Sequence, residues 1–131
     1  MFKRIMLIKK KAGMSREDFI AYYETRHLPL CMGLLPPPVL HRRNYPVPGD
    51  ALGQAMRSDR DLGAEVEYDC INEVFHHTRA DAEAYFQALS DPAKRALIAA
   101  DEANFIEPGS IRVLIVEVRE WRPGEGVTQP L

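Results

Sequence analysis

The sequence predicts an α+β domain with the ferredoxin-like order β-α-β-β-α-β and a four-stranded antiparallel sheet. Two observations predict the elements. Four short segments have the apolar or alternating pattern of strands, and two helical regions begin with capping residues and continue with apolar residues at helical spacing. A third observation sets the size: 131 residues match one domain with a core of its own.

The first strand is predicted at 2–10, and a helix follows it. Ser15 is a natural N-cap, because its hydroxyl can accept a hydrogen bond from the backbone of Asp18 three residues later. Phe19 and Tyr23 then recur at helical spacing and predict a buried face. Tyr23 is accordingly interpreted as a core residue.

Pro29 is expected to end this helix, because the residue before a proline is disfavoured in the α region. The helix should therefore stop near Arg26 or His27, and residues 28–38 should form a loop. The second strand is predicted at 39–47. Its side chains alternate, so that odd-numbered residues face one way and even-numbered residues the other.

A long loop is predicted at 48–67, with one short helical turn around 50–57. The third strand (67–77) leads to a helix capped by Thr78, and Asp91 caps a second segment of that helix.

The last strand is predicted at 111–121. The domain should therefore span 1–121, with loop 48–67 outside its core and a loosely held tail at 122–131.

The first and last strands are apolar on both alternating faces in their centres. Helices cover one face of a ferredoxin-like sheet, so the second face would expose an apolar patch, which monomers rarely tolerate. We therefore predict a homodimer in which the open sheet faces pack together.

Composition excludes several classes of protein. The formal net charge is −2 and the pI is about 6.1, which argues against a nucleic-acid partner. No stretch approaches the ~20 apolar residues of a membrane span. The apolar run near the start is shorter than the roughly seven to fifteen residues of a secretory signal. Cys31 and Cys70 form no CxxC motif, so a cytoplasmic protein with reduced thiols is predicted.

Motifs for metals and nucleotide cofactors are absent from the sequence. His76 and His77 are adjacent and would point to opposite faces of a strand, and no HExxH spacing occurs. There is no GxGxxG or phosphate-binding loop, and no nucleophile elbow. We therefore predict neither a metal site nor a cofactor.

The stretch SREDFIAYYETRHLPL (15–30) resembles the first helix of the EthD family, part of the dimeric α+β barrel proteins. In that family a capped helix carries an aromatic pair and ends in a His-x-Pro-Leu turn. Residues 68–118 resemble the rest of the family pattern, with Asp69, Glu73 and Phe75 on one strand and a later SDP and FIEP. The resemblance extends from Phe2 to about Glu120, apart from loop 48–67.

This resemblance implies a homodimer whose two sheets form a barrel, with one small apolar pocket in each subunit. Related barrels include polyketide cyclases, muconolactone isomerase, cofactor-free anthrone monooxygenases and fungal decarboxylases. The family is functionally mixed, so the resemblance implies a fold more specifically than a reaction.

His27 and Glu73 are the predicted catalytic residues. The imidazole of His27 titrates near neutrality, and a helix C-terminus would favour its protonated form. In the alternative interpretation His27 only caps its helix. A mid-strand carboxylate at Glu73 would have a raised pKa on a covered face. Alternatively, Glu73 forms a salt bridge with one of three arginines, namely Arg42, Arg43 and Arg112.

Five further side chains are predicted to bind substrate: Tyr22, Arg26, Asn44, Tyr45 and Asp69. Tyr22 and Arg26 share one stripe of the first helix, and Asn44 and Tyr45 end the second strand on opposite faces. Asp69 shares the face of Glu73, but about 13 Å of strand separates them, too far for a carboxylate pair.

The predicted function is cofactor-independent acid/base chemistry on a small apolar oxygenated compound, phenolic, polyketide-like or lactone. Isomerisation, cyclisation, dehydration and decarboxylation all need only positioned acid/base groups in a dry cavity. Two alternatives stay open: a non-catalytic ligand-binding or accessory protein, and a cofactor-free monooxygenase.

Overall fold

A computed structural model describes residues 1–57 and 66–127 of the chain. Four strands form one antiparallel sheet with the order β2-β3-β1-β4. The strands are β1 (Phe2–Ile8), β2 (Leu40–Asn44), β3 (Cys70–His76) and β4 (Arg112–Val116). This order confirms the predicted ferredoxin-like fold class, although each strand is shorter than the sequence pattern indicated.

Five α-helices connect or follow these strands in the described ranges: α1 (Arg16–Tyr22), α2 (Leu28–Leu34), α3 (Ala51–Arg57), α4 (Arg79–Leu89) and α5 (Pro92–Glu102). The predicted caps are confirmed. The side chains of Ser15, Thr78 and Asp91 each accept a hydrogen bond of 3.1 Å from the backbone three residues later. No helix in these ranges combines the length and apolarity needed to cross a bilayer.

Pro29 does not end the first helix, so that prediction is wrong. A π-helical turn, Tyr23–His27, joins α1 directly to α2, and the backbone N–H of Leu28 bonds to the carbonyl of Tyr23 five residues back. The wider turn shifts the backbone hydrogen bonds. The shift falls where the ring of Pro29 would otherwise clash with a carbonyl oxygen of the preceding helical turn. His27 therefore lies inside a continuous helical segment rather than at its end, and the expected effect of a helix C-terminus on its charge does not apply.

The two faces of the sheet differ in burial. On the helix side, Ile8, Cys70 and Val74 are at most 1% exposed. On the opposite side, Ile5 and Leu7 of β1 are only half-buried, and Leu114 is 48% exposed. Within the described residues, nothing covers this second face, as the apolar pattern of the first and last strands indicated.

The core lies between the sheet and the helices in two clusters. The larger one contains six buried residues: Ile8, Phe19, Tyr23, Cys70, Phe105 and Ile106. The smaller one joins Leu35, Tyr85 and Ile98 between α2, α4 and α5. Tyr23 is 3% exposed, which confirms its interpretation as a core residue.

The segment predicted as a long loop contains α3, so the expected helical turn at 50–57 is confirmed. Its Leu52 and Met56 side chains are exposed. The rest of that loop lies partly outside the described residues. The tail begins with a small exposed hairpin of β5 (Trp121–Arg122) and β6 (Gly126–Val127). The division into a domain at 1–121 and a tail at 122–131 stays a prediction.

Candidate functional site

His27 is buried where the π-helical turn faces α5. Its Nδ1 lies 2.9 Å from Oδ2 of Asp101. A carboxylate only accepts, so Nδ1 of the ring is the donor in this contact. The ring of Phe105 lies 4.8 Å from the imidazole, centroid to centroid, and only 7% of His27 is exposed. A histidine–carboxylate pair is therefore held in a largely dry environment.

Asp101 is shared with Tyr22. The Tyr22 hydroxyl donates to Oδ1 of Asp101 at 2.6 Å and accepts from Nδ2 of Asn104 at 2.9 Å. This hydrogen bond to Asp101 raises the pKa of Tyr22, with burial adding to the effect. Both carboxylate oxygens of Asp101 are thus engaged, one by Tyr22 and one by His27, which restrains the orientation of the imidazole.

The other ring nitrogen of His27 faces Cys31. The Sγ of Cys31 lies 3.5 Å from Nε2, one helical turn further along the chain. Burial raises the pKa of Cys31 to about 12, and the neighbouring acids Glu102 and Asp101 add to the rise. Burial also raises the pKa of Glu102, and the imidazole of His27 opposes this rise when it is protonated. Cys31 is therefore a neutral thiol at neutral pH, not a thiolate nucleophile.

Glu73 lies on the opposite face of the sheet from His27. It forms an ion pair with Nζ of Lys3 at 2.8 Å and accepts a hydrogen bond from Nδ2 of Asn44 at 3.0 Å. These two hydrogen bonds hold the pKa of Glu73 below its usual value. The predicted raised pKa is wrong, because cation and amide donors stabilise the charged form. Glu73 and Asn44 belong to the open sheet face, and Glu73 is not the partner of His27.

Tyr45 lies on the helix side and packs edge-on against Phe19 and Tyr23. Its hydroxyl is buried, and among the described residues no group meets hydrogen-bond geometry with it. Burial raises the pKa of Tyr45, with nearby Glu24 adding to the rise. Glu24 lies close enough to act as a hydrogen-bond acceptor for the phenol, although the contact is not well aligned, so the hydrogen bonding of this buried hydroxyl is weak.

The remaining predicted binding residues are dispersed. Arg26 is exposed. Asp69 accepts a hydrogen bond from the backbone of Lys10 at 2.8 Å and borders a cleft of about 330 Å³ near α3. Of the seven predicted site residues, the structure joins His27 and Tyr22 through Asp101 in the helical layer, and Glu73 and Asn44 by a hydrogen bond on the open sheet face. Within residues 1–57 and 66–127, no three His, Cys, Asp or Glu side chains are arranged to hold a metal ion.

Asp101 is the functional candidate that the sequence patterns missed. A signal for it exists in α5, whose last turn carries Asp101 and Glu102 and no basic residue. Acids are unfavourable at a helix C-terminus, so a pair of them there indicates that something else in the fold requires them. The identity of the partner, 74 residues away, is visible only in the tertiary structure.

These features define a ferredoxin-like α+β protein with a buried histidine–aspartate pair in its helical layer. The model of the EthD domain matches residues 11–109 of the chain. The chain therefore belongs to the EthD family. The matched span includes residues 48–67, which the resemblance in sequence had left out. None of the functionally curated proteins matches the chain.

Solved structures of low sequence identity share the fold. An EthD family protein from Bacillus halodurans is 14% identical, with a TM-score of 0.56 over 90% of this chain and 99% of that one. An EthD-like protein from Ralstonia eutropha is 20% identical, with a TM-score of 0.56 over 86% of this chain and 89% of that one. A protein from Arabidopsis thaliana is 14% identical, with a TM-score of 0.55 over 92% of this chain and 97% of that one.

Proposed function

We propose that the chain is a cofactor-independent enzyme that transfers a proton on a small oxygenated compound of the phenolic, polyketide-like or lactone class. The observation that carries this proposal is the buried pair of His27 and Asp101. Such a pair is the arrangement of a general base with an orienting carboxylate. Membership of the EthD family is compatible with this chemistry and does not specify it.

His27 performs the proton transfer in this proposal. Asp101 keeps the proton of the neutral ring on Nδ1, so the lone pair of Nε2 accepts a proton from a carbon beside a substrate carbonyl. The C–H electron pair moves into the carbonyl and forms an enolate, while the imidazolium is stabilised by Asp101. Return of the proton to another atom completes an isomerisation, and loss of a leaving group completes a dehydration.

The surrounding residues position this pair. Tyr22 restrains Asp101 through its second oxygen, and Phe105 excludes water from the imidazole. The weakly bonded hydroxyl of Tyr45 supports a role in hydrogen bonding a ligand oxygen on the helix side of the sheet. Glu73, Asn44, Arg26 and Asp69 lie away from this cluster and are not needed for the proposed step.

A second candidate function, non-catalytic ligand binding, is favoured by one observation. His27 lines none of the three clefts that open near α3, near the end of α5 and beside Pro36–Pro37. A histidine enclosed in this way would serve the packing of the helical layer. Catalysis and simple ligand binding differ in one respect: only catalysis removes a proton from the bound compound.

Hydrogen–deuterium exchange of substrate carbons tests this directly. A panel of phenolic ketones, β-diketones and lactones in D2O is followed by proton NMR with wild type, His27→Gln and Asp101→Asn. We expect catalysed exchange beside a carbonyl for at least one compound. His27→Gln should slow it by about 10²–10⁴-fold, the usual contribution of a general base. Glu17→Gln, at an exposed position of α1, is the control and should exchange as wild type does.

Exchange at the wild-type rate in His27→Gln would exclude His27 as the base. Saturable binding of a panel compound without exchange in the wild type would favour the ligand-binding alternative. Oxygen consumption coupled to substrate loss would favour the monooxygenase alternative.

The open sheet face supports a second proposal, that the chain forms a homodimer through this face. Its half-buried or exposed apolar side chains are Ile5, Leu7, Leu40, Ile71, Phe75, Leu114 and Val116. Contiguous apolar surfaces of this kind mark interfaces more often than free surface. The ion pair of Lys3 and Glu73 lies on the same face and would be enclosed by a partner.

A charge placed on this face should separate the dimer. Leu114→Glu is expected to shift the mass in solution from twice 14.9 kDa to 14.9 kDa, because an unpaired carboxylate is costly to bury. Light scattering after size exclusion measures the mass. Leu97→Glu on α5 is the control, since Leu97 has similar exposure, 55% against 48%, on the helical side. A wild-type monomer, or a Leu114→Glu dimer, would contradict the proposal.

A further inference from the structure

Arg4 stands in the middle of β1 with its side chain on the helix side of the sheet. Its register partners are Val74, which is fully buried, and Ile115, which is 60% exposed, and Arg4 itself is half-buried. The guanidinium carbon lies 4.6 Å from the ring centroid of Tyr85. Nε donates to Nε2 of His76 at 3.5 Å. A guanidinium is therefore held beneath the helices by an aromatic ring and an imidazole.

No acid neutralises this guanidinium in the described part of the chain. The ion pairs found there within 4.0 Å do not include Arg4. Its Nη1 donates to the sulfur of Met6 at 3.1 Å, which is a weak acceptor, and the guanidinium also hydrogen-bonds the neutral side chain of Tyr85. Arginine is rarely buried unless paired, and it presents a planar fork of donors that matches a carboxylate.

The neighbouring side chains on this face of the sheet are an uncharged histidine and an arginine that is already paired. His41 on β2 shares the row of Arg4 across the sheet, through Val74, and Arg43 follows it on the same face. Arg43 already takes the carboxylate of Glu24, donating from Nη2 to Oε1 at 3.0 Å. The negative charge of Asp81 on α4 raises the pKa of His76. Asp81 forms no ion pair with Arg4 within the described residues. The Arg4 charge is left without a counter-ion.

A cleft borders His76, the imidazole that Arg4 contacts, although Arg4 and Tyr85 do not line it themselves. It has a volume of about 120 Å³ and is lined by Pro36, Pro37, Val39, His76, His77, Asp81 and Ala84. Since a water occupies about 30 Å³, this space can take the carboxylate end of a small acid whose remainder extends through the mouth of the cleft. Tyr85, which stacks on Arg4, packs in the same cluster as Cys31, whose sulfur faces Nε2 of His27. Contacts therefore run continuously from Arg4 to the proposed base.

We propose that Arg4, His76 and Tyr85 form a binding site for the carboxylate of a small organic acid, which neutralises the Arg4 guanidinium. The site itself stands on the unpaired charge and the cleft. Only its consequence for substrate class rests on the proposed function: the compound acted on by His27 is then an oxygenated carboxylic acid, anchored through Arg4.

Binding of a simple carboxylate tests the site without turnover. Titration calorimetry compares benzoate with benzamide, its neutral analogue of similar shape, for wild type, Arg4→Gln and Arg79→Gln. We expect saturable benzoate binding by the wild type and loss of affinity of about tenfold or more in Arg4→Gln, as for a charge-assisted hydrogen bond. Arg79→Gln removes an exposed arginine of α4 and should bind as wild type does. His27→Gln should also keep benzoate binding, which separates this test from the exchange experiment.

Equal binding of benzoate and benzamide, or benzoate affinity unchanged in Arg4→Gln, would overturn the proposal. So would inorganic sulfate competing at the same concentration as benzoate, because the site would then select charge alone. If Arg4→Gln does not fold, the NMR signal of the Arg4 Nε–Hε group in the wild type decides whether benzoate binds there. This signal is assigned by its absence from the spectrum of Arg4→Lys. A shift on adding benzoate supports the site, and an unchanged signal at saturating benzoate excludes it.

Discussion

Replacing Phe105 with alanine is expected to lower the free energy of unfolding by about 3–5 kcal/mol, the usual cost of truncating a buried phenylalanine. Phe105 is fully buried. Its ring lies 5.7 Å from that of Phe19, 5.0 Å from Tyr22, 5.4 Å from Tyr23 and 4.8 Å from His27, measured between centroids. Its removal leaves a cavity where α1, the π-helical turn and the residues after α5 meet.

The effect is large because domains of this size are stable by only about 5–15 kcal/mol. Urea unfolding followed by far-ultraviolet circular dichroism measures the change. Phe86→Ala on α4 makes the same truncation at a side chain that is 65% exposed, and should change stability by no more than about 0.5 kcal/mol. A loss below about 1 kcal/mol in Phe105→Ala would show that this ring is not central to the core.

Acid should destabilise the protein between pH 6.5 and about 4 through His41. Burial lowers the pKa of His41 from 6.5 to about 4, and the charges of Arg43 and Arg4 add to this, while Glu24 opposes it. Nη1 of Arg43 lies 3.1 Å from Nδ1 of His41, which suits a neutral acceptor. Among the described groups, a neutral His41 is therefore part of the folded state.

The direction of this pH effect on stability follows from proton binding to His41. Between these two pKa values the unfolded chain binds a proton at His41 and the folded chain does not, so stability rises with pH across that interval. The contribution is fully present above pH 6.5 and is lost as the pH falls through 4. A shift of this size corresponds to about 3 kcal/mol at most.

Comparison of His41→Gln with wild type isolates this contribution. Other groups also titrate: burial lowers the pKa of His76, which acts in the same direction, and raises that of Glu102, which acts in the opposite one. Urea unfolding at pH 4.5, 5.5, 6.5 and 7.5, spaced by roughly one unit around the interval, should show a flatter profile for His41→Gln. His77→Gln should keep the wild-type slope. Parallel profiles for wild type and His41→Gln would contradict the assignment.

Local sequence predicted the elements well. Ser15, Thr78 and Asp91 cap their helices because a short polar side chain can satisfy backbone donors only three residues away. These helices and the four strands follow one another in the order β-α-β-β-α-β. This order is enough to specify a ferredoxin-like sheet. Pro29 shows the limit of such rules, because the π-helical turn before it removes the conflict that usually ends a helix.

The candidate site was predicted only in part. His27 and Tyr22 were identified from residue type and helix position, and they do meet, but through Asp101. Glu73 was chosen because it stands among apolar neighbours on a strand. Alternation along a strand separates two faces without saying which one the helices cover, and Glu73 proved to lie on the open one.

The sequence by itself determined that the chain forms an α+β sheet with capped helices, and that an ionisable histidine follows the aromatic pair of the first helix. Only the tertiary structure decided the chemistry around that histidine. The partner of His27 is a residue 74 positions away, and the packing of β1 against α4 sets Arg4 against Tyr85, with no carboxylate paired to it among residues 1–57 and 66–127. Both depend on which face each element turns inward, and that is set by packing between elements rather than by the pattern within any one of them.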